Sequence, residues 1–253
     1  MDLGLTDRVF VVTAATQGLG RAIADVLVAE GARVVVSART DDDVEATARE
    51  LGGPEHAVGV VADNADPTAP HRLVDAATAT WGRIDGALIN VGGPPTGTAF
   101  DITDDDWRAG FETVFIGAIR IAREVVAALT DGGSLVFLLS TSARSPLEGL
   151  AVSNALRPGL AMTAKSLADE LGPRGIRVNG LLPGRIDTAR SRELDDATAD
   201  AAAARREREQ AIPLRRYGRA DEIGRAAAFL LSPAASYVTG VMMPIDGGVL
   251  REP

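Results

Sequence analysis

The chain of 253 residues contains no cysteine. Disulfides, a thiol nucleophile and thiolate metal ligands are therefore excluded. Only two histidines are present, His56 and His71, and they lie far apart in polar surroundings. With so few ligands, neither a metal site nor a histidine-based catalytic triad is expected. Aromatic residues make up 4% of the chain, which predicts a core built mainly from alanine, valine, leucine and isoleucine.

Acidic residues outnumber basic residues by 35 to 26, which gives a formal net charge of −9. Lysine is almost absent, because only one of the 26 basic residues is a lysine, Lys165. This balance argues against nucleic acid and anionic membranes as partners. No apolar run is long enough to span a bilayer. The first residues lack the basic region and apolar stretch of a signal peptide. The sequence predicts a cytoplasmic protein that acts on a small-molecule substrate.

Apolar runs of strand length alternate with helical patterns along the chain. Strands that are apolar throughout are typical of a parallel sheet that helices cover on both faces. The pattern predicts one doubly wound α/β domain over residues 1–253, with a seven-stranded parallel sheet and ligands at the carboxyl ends of the strands. The expected strands are 9–12, 33–37, 58–62, 84–90, 134–140, 176–182 and 241–245. The main expected helices are 67–81, 103–129, 152–171 and 220–231.

A charged, alanine-rich segment over residues 188–212 interrupts this alternation after the sixth strand. It is either a solvated helical insertion or a mobile lid over the substrate. Because the segment follows the carboxyl end of a strand, the lid is the favoured interpretation.

The turn after the first strand has the sequence Thr13-Ala14-Ala15-Thr16-Gln17-Gly18-Leu19-Gly20. Backbone amides of a glycine-rich turn that opens a helix can approach a diphosphate. Gly18 and Gly20 alone could serve only close packing of the helix on the strand. In its context the turn resembles the T-G-x-x-x-G-x-G turn of the short-chain dehydrogenase/reductase family, with Ala14 in place of the first glycine.

Further segments resemble motifs of the same family, in the same order and at similar spacing. Asn90-Val91-Gly92 is similar to its N-A-G motif, and Asp63-Asn64 stands where the family has an aspartate near the adenine. The other matching segments are Arg177-Val178-Asn179, Pro183 to Thr188, Thr239-Gly240 and Ile245-Asp246-Gly247-Gly248. The resemblance implies a Rossmann fold that binds a nicotinamide cofactor.

The resemblance also assigns residues to the cofactor. They are Thr13, Ala15, Thr16, Gln17, Gly18, Leu19, Arg39, Asp63, Asn64, Asn90, Gly92, Arg157, Pro183, Gly184, Ile186 and Thr188. A site that prefers NAD carries a carboxylate at the end of the second strand, where it binds the ribose 2′-hydroxyl. This chain has Ala38 there, and the neighbouring Arg39 can pair with a 2′-phosphate. NADP(H) is therefore predicted over NAD(H).

The active-site segment departs from the family pattern. The family uses an asparagine, a serine, a tyrosine and a lysine, and the last two form a Y-x-x-x-K motif. Counting from Arg177-Val178-Asn179 places these four positions at Val114, Ser140, Ser153 and Arg157. Only the serine, Ser140, is retained. Ser140, Ser153 and Arg157 are accordingly the predicted catalytic residues, and no metal is expected.

These replacements change the chemistry that the site can perform. A serine hydroxyl is a weaker acid than a tyrosine and is shorter by roughly 4 Å, judged from standard bond lengths. Arg157 can hold a ribose or an anion but does not readily relay protons. Val114 cannot anchor the water that the family's asparagine organises.

Three interpretations remain open. The chain is a divergent oxidoreductase with another proton source, a non-redox enzyme such as a cyclase or dehydratase, or a non-catalytic nucleotide-binding protein. The nearest alternative proton donors are Ser142, Glu148 and Asn154. In the non-redox case, an anionic substrate would be held by Arg144, Arg157 and Arg185. The matching cofactor motifs favour the oxidoreductase.

Helices 103–129 and 152–171 are rich in alanine and valine on more than one face. The family pairs these two helices across a two-fold axis, which would bury the additional apolar face. A homotetramer or homodimer is therefore expected.

Overall fold

The described strands form one seven-stranded parallel sheet in the order β3-β2-β1-β4-β5-β6-β7. The computed structural model describes residues 2–129, 132–196, 198 and 200–251; the remaining positions of the predicted domain and lid lie outside the described residues. The strands are β1 (Val9–Val12), β2 (Arg33–Ala38), β3 (Ala57–Val61), β4 (Gly86–Ile89), β5 (Gly133–Leu138), β6 (Ile176–Pro183) and β7 (Met242–Ile245). The predicted doubly wound α/β fold is confirmed.

Helices cover both faces of this sheet. The helices of the described residues are α1 (Gly18–Ala29), α2 (Asp41–Glu50), α3 (Ala69–Trp81), α4 (Asp104–Gly110), α5 (Gly117–Ala128), α6 (Ala151–Leu171), α7 (Ala189–Asp196), α8 (Ala201–Ala211) and α9 (Ala220–Leu231), of which α7 and α8 do not contribute to the core on either face. Val9 and Val11 of β1 face the core under α3, α5 and α6, whereas Phe10 and Val12 face the core under α1 and α9. Successive side chains point to opposite faces, so burial on both sides explains why the strands lack polar alternation.

The helix predicted over 103–129 contains a feature that the pattern did not reveal. Thr103 caps its start, because the Thr103 hydroxyl accepts a bond of 3.2 Å from the Asp106 amide and Asp106 bonds back. A π-helical turn, Phe111–Ile116, then separates α4 from α5. Such turns insert one residue into a helix and often occur at functional sites. Here the turn contains Val114.

The segment predicted as a lid is helical and consists of α7 and α8. It leaves the sheet at the carboxyl end of β6 and returns through residues 212–219 to α9. No helix among the described residues is long and apolar enough to cross a membrane.

The strand order reverses between β1 and β4, which lie side by side although β2 and β3 come between them in the chain. Connections diverge to opposite faces at such a point, and a crevice opens at the carboxyl ends of the strands. The turns after β1, β2, β3, β4, β5 and β6 all lead to this end of the sheet. The fold therefore brings the predicted site residues to one place.

Candidate active site

A cleft of about 620 Å³ lies at the carboxyl ends of the strands. Its walls are the turns after β1 to β6, the face of α4 and the start of α7. Predicted residues that line it are Thr16, Gln17, Gly18, Leu19, Arg39, Asp63, Asn64, Asn90, Gly92, Ser140, Arg157, Pro183, Gly184, Ile186 and Thr188. Three predicted residues, Thr13, Ala15 and Ser153, do not line it.

Thr13 and Ala15 lie beneath the cleft and shape it. The Thr13 hydroxyl donates to the Asn90 carbonyl at 2.6 Å and accepts from the Asn90 amide at 2.8 Å, which joins the turns after β1 and β4. The Ala15 amide donates to the Ser37 carbonyl at 2.9 Å. Both residues are fully buried. Their contacts hold the cofactor turns in register.

The turn after β1 leaves room for a ligand against its backbone. Gly18 has a φ of +58°, and a Cβ built on it would meet no atom within 4 Å. Gly92, across the cleft, has the same open space. Helix α1 starts at Gly18 without a side-chain cap, because Gln17 makes no capping bond. Uncapped amides at a helix N-terminus bind phosphate groups well, so this turn fits a dinucleotide diphosphate.

Ala14 occupies the position of the family's first glycine and has a φ of +48°. Its carbonyl accepts a bond of 3.1 Å from the Asn90 amide group. A Cβ on Gly20 would lie only 2.2 Å from the same carbonyl. The turn is therefore tightly fixed, and Ala14 adopts a left-handed conformation that alanine disfavours.

The end of β2 presents no carboxylate at position 38 but an exposed cation at Arg39. Arg39 makes no ion pair with another described residue. On the opposite wall, Asn64 donates to the Asn90 carbonyl at 2.9 Å, and Asp63 accepts from the Ala65 amide at 2.9 Å. Arg39, Asp63 and Asn64 line the same cleft and can offer polar groups to a ligand there.

The family's asparagine position is apolar in this chain. Val114 is 1% exposed and packs with Val152 and Leu156. Partly buried side chains extend this apolar cluster: Val91, Ile102 and Trp107. The Val114 side chain can neither donate nor accept a hydrogen bond, so it cannot hold a water as an asparagine side chain would.

Arg157 projects into the cleft from α6, but most of its surface is buried. Its Nη1 donates to the Leu138 carbonyl at 2.8 Å and its Nε donates to the Ser153 hydroxyl at 3.1 Å. No described carboxylate lies within ion-pair distance. Burial lowers the pKa of Arg157 to about 10. The side chain is therefore cationic at neutral pH and has no acidic partner to balance it.

Ser153 does not line the cleft but bonds the Arg157 guanidinium. Its hydroxyl accepts from the guanidinium and lies 2.9 Å from the Ser142 hydroxyl. Both serines are at most 5% exposed. Ser140, by contrast, lines the cleft, although its hydroxyl also accepts from the Ser142 amide at 3.1 Å. Of the predicted catalytic residues, Ser140 and Arg157 line the cleft, and Ser153 does not line it but bonds Arg157.

Neither tyrosine lines the cleft. Tyr237 is fully exposed, and Tyr217 donates its hydroxyl to the Asp195 carboxylate at 3.1 Å. Burial raises the pKa of Tyr217. The predicted arginine cluster does not assemble either, because Arg144 bonds the Met242 carbonyl at 2.8 Å and Arg185 lies beside Tyr217. Of the three arginines proposed to hold an anion, only Arg157 lines the cleft.

A different arginine, Arg190 of α7, reaches the cleft instead. Its Nε lies 3.3 Å from the position of a Cβ on Gly93. Sequence reasoning missed Arg190, although its position two residues after Thr188 was a usable signal. Ala189, Ser191 and Glu193 of the same helix also line the cleft.

Ion pairs fasten α7 and α8 to each other and to the body. Asp195 is 4% exposed and bonds both Arg208 and Tyr217. The guanidinium of Arg205 lies 4.6 Å from the centre of the Tyr217 ring and pairs with Asp187 at 3.2 Å. These contacts hold α7 and α8 together and join them to Asp187 and Tyr217 outside the segment.

A cleft at the reversal of a parallel sheet, with an uncapped glycine turn at the start of the first helix, is typical of the dinucleotide-binding α/β proteins. Comparison with known proteins defines the group further. A family model described as enoyl-(acyl carrier protein) reductase matches residues 13–250. The chain belongs to the short-chain dehydrogenase/reductase family of oxidoreductases.

Individual relatives match along nearly their full length. The chain is 32% identical over 244 residues to a 3-oxoacyl-[acyl-carrier-protein] reductase of Salmonella typhimurium, covering 96% of this chain and 97% of the relative. It is 34% identical over 250 residues to human dehydrogenase/reductase SDR family member 4, covering 96% and 88%. The structure of L-sorbose reductase from Gluconobacter frateurii, complexed with NADPH and L-sorbose, superposes with a TM-score of 0.92 at 29% identity over the whole of both chains.

Proposed function

We propose that the protein is an NADP(H)-dependent oxidoreductase of a small molecule, in which a fixed cation stabilises the alkoxide formed by hydride transfer and water supplies the proton that the family's tyrosine would donate. The observation that carries this proposal is that Ser140 and Arg157 both line a cleft that neither tyrosine lines. Membership of the family supports use of a nicotinamide cofactor. The L-sorbose reductase binds NADPH, and the absence of a carboxylate at position 38 favours the same cofactor here.

The cofactor would be held along the length of the cleft. The amides at the start of α1 would bind the diphosphate, Arg39 the 2′-phosphate, and Asp63 and Asn64 the adenine end. Arg157 and the turn from Pro183 to Thr188 would hold the nicotinamide end. A bound NADP(H) supplies a hydride acceptor or donor.

Two side chains would act on the substrate oxygen. The Ser140 hydroxyl can donate one hydrogen bond, and the Arg157 guanidinium can stabilise negative charge that develops beside it. Ser153 is a positioning residue in this scheme, because it holds the Nε of Arg157. General acid–base help typically contributes ~10²–10⁴-fold to a rate, so its loss predicts little turnover of ordinary aldehydes and ketones.

Calorimetric titration with NADPH and NADH tests the cofactor assignment. Binding of NADPH at least about tenfold tighter than NADH is expected from one charge-assisted contact. If the protein binds neither NADPH nor NADH, only the interpretation as a non-catalytic protein on this fold remains. Equal affinity would contradict the role of Arg39 and leave the oxidoreductase class untouched.

A panel of simple ketones and aldehydes with NADPH, followed by absorbance, tests the chemistry. The native protein is expected to consume almost no NADPH with these substrates. A variant carrying Val114→Asn, Ser153→Tyr and Arg157→Lys is expected to gain activity. Brisk native turnover would refute the role assigned to Arg157. Tight NADPH binding together with product formation that consumes no NADPH would favour the cyclase or dehydratase alternative.

We also propose that the protein assembles through the outer face of α4, α5 and α6. Phe111 is 44% exposed and stacks on Phe115, and Met162 of α6 is 68% exposed. Light scattering is expected to give a dimer or tetramer, and Phe111→Asp with Met162→Glu is expected to weaken it. A native monomer at micromolar concentration would contradict the assembly.

We propose, finally, that α7 and α8 form a lid over the bound substrate. The lid interpretation is supported by residues of α7 lining the cleft and by the ion pairs that anchor the segment. Slower proteolysis of residues 188–212 with bound NADP⁺ and substrate is expected. Equal cleavage rates in both states would contradict a closing lid.

A further inference from the structure

We propose that the substrate end of the cleft binds a compact monocarboxylate, which is received by Arg157 and Arg190. The proposal rests on the oxidoreductase function above and names its substrate class. Four observations support this proposal. They are the N–H donors of Arg157 that have no partner among the described residues, the charges that line the cleft, the position of Arg190 and the apolar cluster that contains Val114.

The first observation concerns the donors of Arg157. A guanidinium carries five N–H bonds. Two are used, by the Ser153 hydroxyl and the Leu138 carbonyl, so three have no partner among the described residues. Arg157 is 7% exposed and lines the cleft. A cation this deeply buried is costly unless an anion pairs with it. Three donors suffice for a ribose hydroxyl of the cofactor and one oxygen of a substrate carboxylate.

The second observation is the charge balance. Six charged residues line the cleft: Arg39, Asp43 and Asp63 follow β2 and β3, whereas Arg157, Arg190 and Glu193 come from α6 and α7. The three from α6 and α7 carry one net positive charge. The chain as a whole carries a net charge of −9, so this local excess is opposite in sign to the protein. One unbalanced positive charge matches a monoanion better than a phosphate dianion. A cleft walled by low-dielectric side chains also concentrates such a field.

The third observation is the placement of Arg190 on α7. Its Nη1 lies 3.3 Å from Glu193, and both side chains are solvent-accessible, so this pair is weak and exchangeable. Its Nε packs against Gly93, where the loop after β4 borders the cleft. Arg190 can therefore exchange part of its contact with Glu193 for a ligand carboxylate. Arg157 would receive the carboxylate from below and Arg190 from the side of α7.

The fourth observation limits the rest of the substrate. Val91 lines the cleft and belongs to the apolar cluster that includes Val114 and Trp107. Ala109 and Gly110 of α4 line the same wall. The non-ionic part of the substrate should therefore be short and aliphatic. An aliphatic 2-oxo acid combines the required carboxylate, apolar body and reducible carbonyl.

The experiment compares matched charged and neutral probes. The protein is saturated with NADP⁺ and titrated calorimetrically with pyruvate, pyruvamide, 4-methyl-2-oxopentanoate and 4-methyl-2-oxopentanamide. Each acid is expected to bind at least about tenfold tighter than its amide, as one desolvated charge-assisted contact supplies. Inorganic phosphate is expected not to compete. Acids that bind no tighter than their amides, or phosphate that competes equally, would overturn the proposal.

Two variants of α7 separate a specific contact from general charge. Arg190→Gln is expected to weaken binding of the acid about three- to tenfold and to leave the amide unchanged. Arg192→Gln is the matched control, because Arg192 lies on the same helix but pairs with Asp187 at 2.9 Å and does not line the cleft. Equal effects of the two substitutions would overturn the role of Arg190.

The same titrations distinguish this proposal from the proposed function. Binding of NADP⁺ is measured before any acid is added, and its absence would count against the cofactor assignment alone. The acids and amides are then compared on the cofactor-free protein as well. Preference for the acid without any binding of NADP⁺ would retain the carboxylate site and reject the oxidoreductase.

Discussion

Replacement of Ala14 by glycine is expected to stabilise the protein. Ala14 is held at a φ of +48° in the turn that opens α1. The left-handed conformation costs an L-residue roughly 1–2 kcal/mol, and glycine adopts it without that cost. The backbone cannot relax, because the Ala14 carbonyl accepts from Asn90 and closely abuts Gly20. The methyl group is half-exposed at the cleft, so little packing is lost.

Glycine also has more conformational freedom in the unfolded chain, and this destabilises the folded protein by roughly 0.5–1 kcal/mol, which offsets part of the strain that the substitution relieves. The net gain is therefore about 0.5–1 kcal/mol, with a rise in Tm of about 1–4 °C for a chain of this size. Differential scanning calorimetry at one protein concentration, without cofactor, measures the shift. Because the turn keeps its backbone geometry, affinity for NADPH is expected to change little.

Ala15→Gly is the matched control. Ala15 is fully buried in the core under α1 and does not have a positive φ. Loss of its methyl group and the added chain freedom should cost about 1–2 kcal/mol. The two neighbouring substitutions are thus expected to have opposite signs. A lower Tm for Ala14→Gly, or the same shift in both variants, would refute the strain argument.

Three further predictions address the cofactor wall, the segment of α7 and α8, and the start of α9. Arg39→Ala should weaken NADPH about tenfold in calorimetry and leave NADH unchanged, since the lost contact is to the 2′-phosphate; equal losses would contradict this. Tyr217→Phe removes a bond to buried Asp195, so proteolysis within 188–212 should accelerate without any change in cleavage elsewhere. Hydrogen bonds from Arg216 lower the pKa of Glu222 from 4.5 to about 2, so its stabilisation is complete above pH 4.5 and disappears as the pH falls towards 2. The Tm deficit of Glu222→Gln should therefore be largest at pH 7 and shrink on acidification, whereas a constant deficit would indicate that the ion pair contributes nothing.

The fold was predictable because burial on both faces leaves a direct mark on composition. The strands are mostly apolar, with few polar residues such as Ser134 and Asn179, and the helices that pack on the sheet show apolar residues at helical spacing. The π turn at Phe111–Ile116 was not predictable in this way. One inserted residue shifts the helical face by about 100°, and a helix that is apolar on several faces conceals such a shift.

That most of the predicted cofactor residues line one cleft was predictable for a different reason. These residues come from turns whose spacing is set by the sheet, so order along the chain translates into position at the carboxyl edge. The direction of a side chain is not encoded in the same way. Ser153 and Arg157 are one helical turn apart, yet the Ser153 hydroxyl bonds Ser142 and Arg157 and does not line the cleft. Arg144 bonds the Met242 carbonyl and does not line the cleft. Arg190 of α7 lines the cleft although it was not predicted from the sequence.

The replacements at positions 114, 153 and 157 are consistent with one another in physical terms. A valine at 114 removes the side chain that would organise a water, and a serine at 153 removes the ionisable hydroxyl. Arginine at 157 retains a positive charge, since a pKa of about 10 leaves roughly one side chain in a thousand neutral at pH 7. A group so rarely deprotonated is suited to stabilising an anion and poorly suited to exchanging protons. These three positions therefore offer one group that holds charge and none that readily moves a proton, which supports our proposal of a substrate that brings its own negative charge or its own proton.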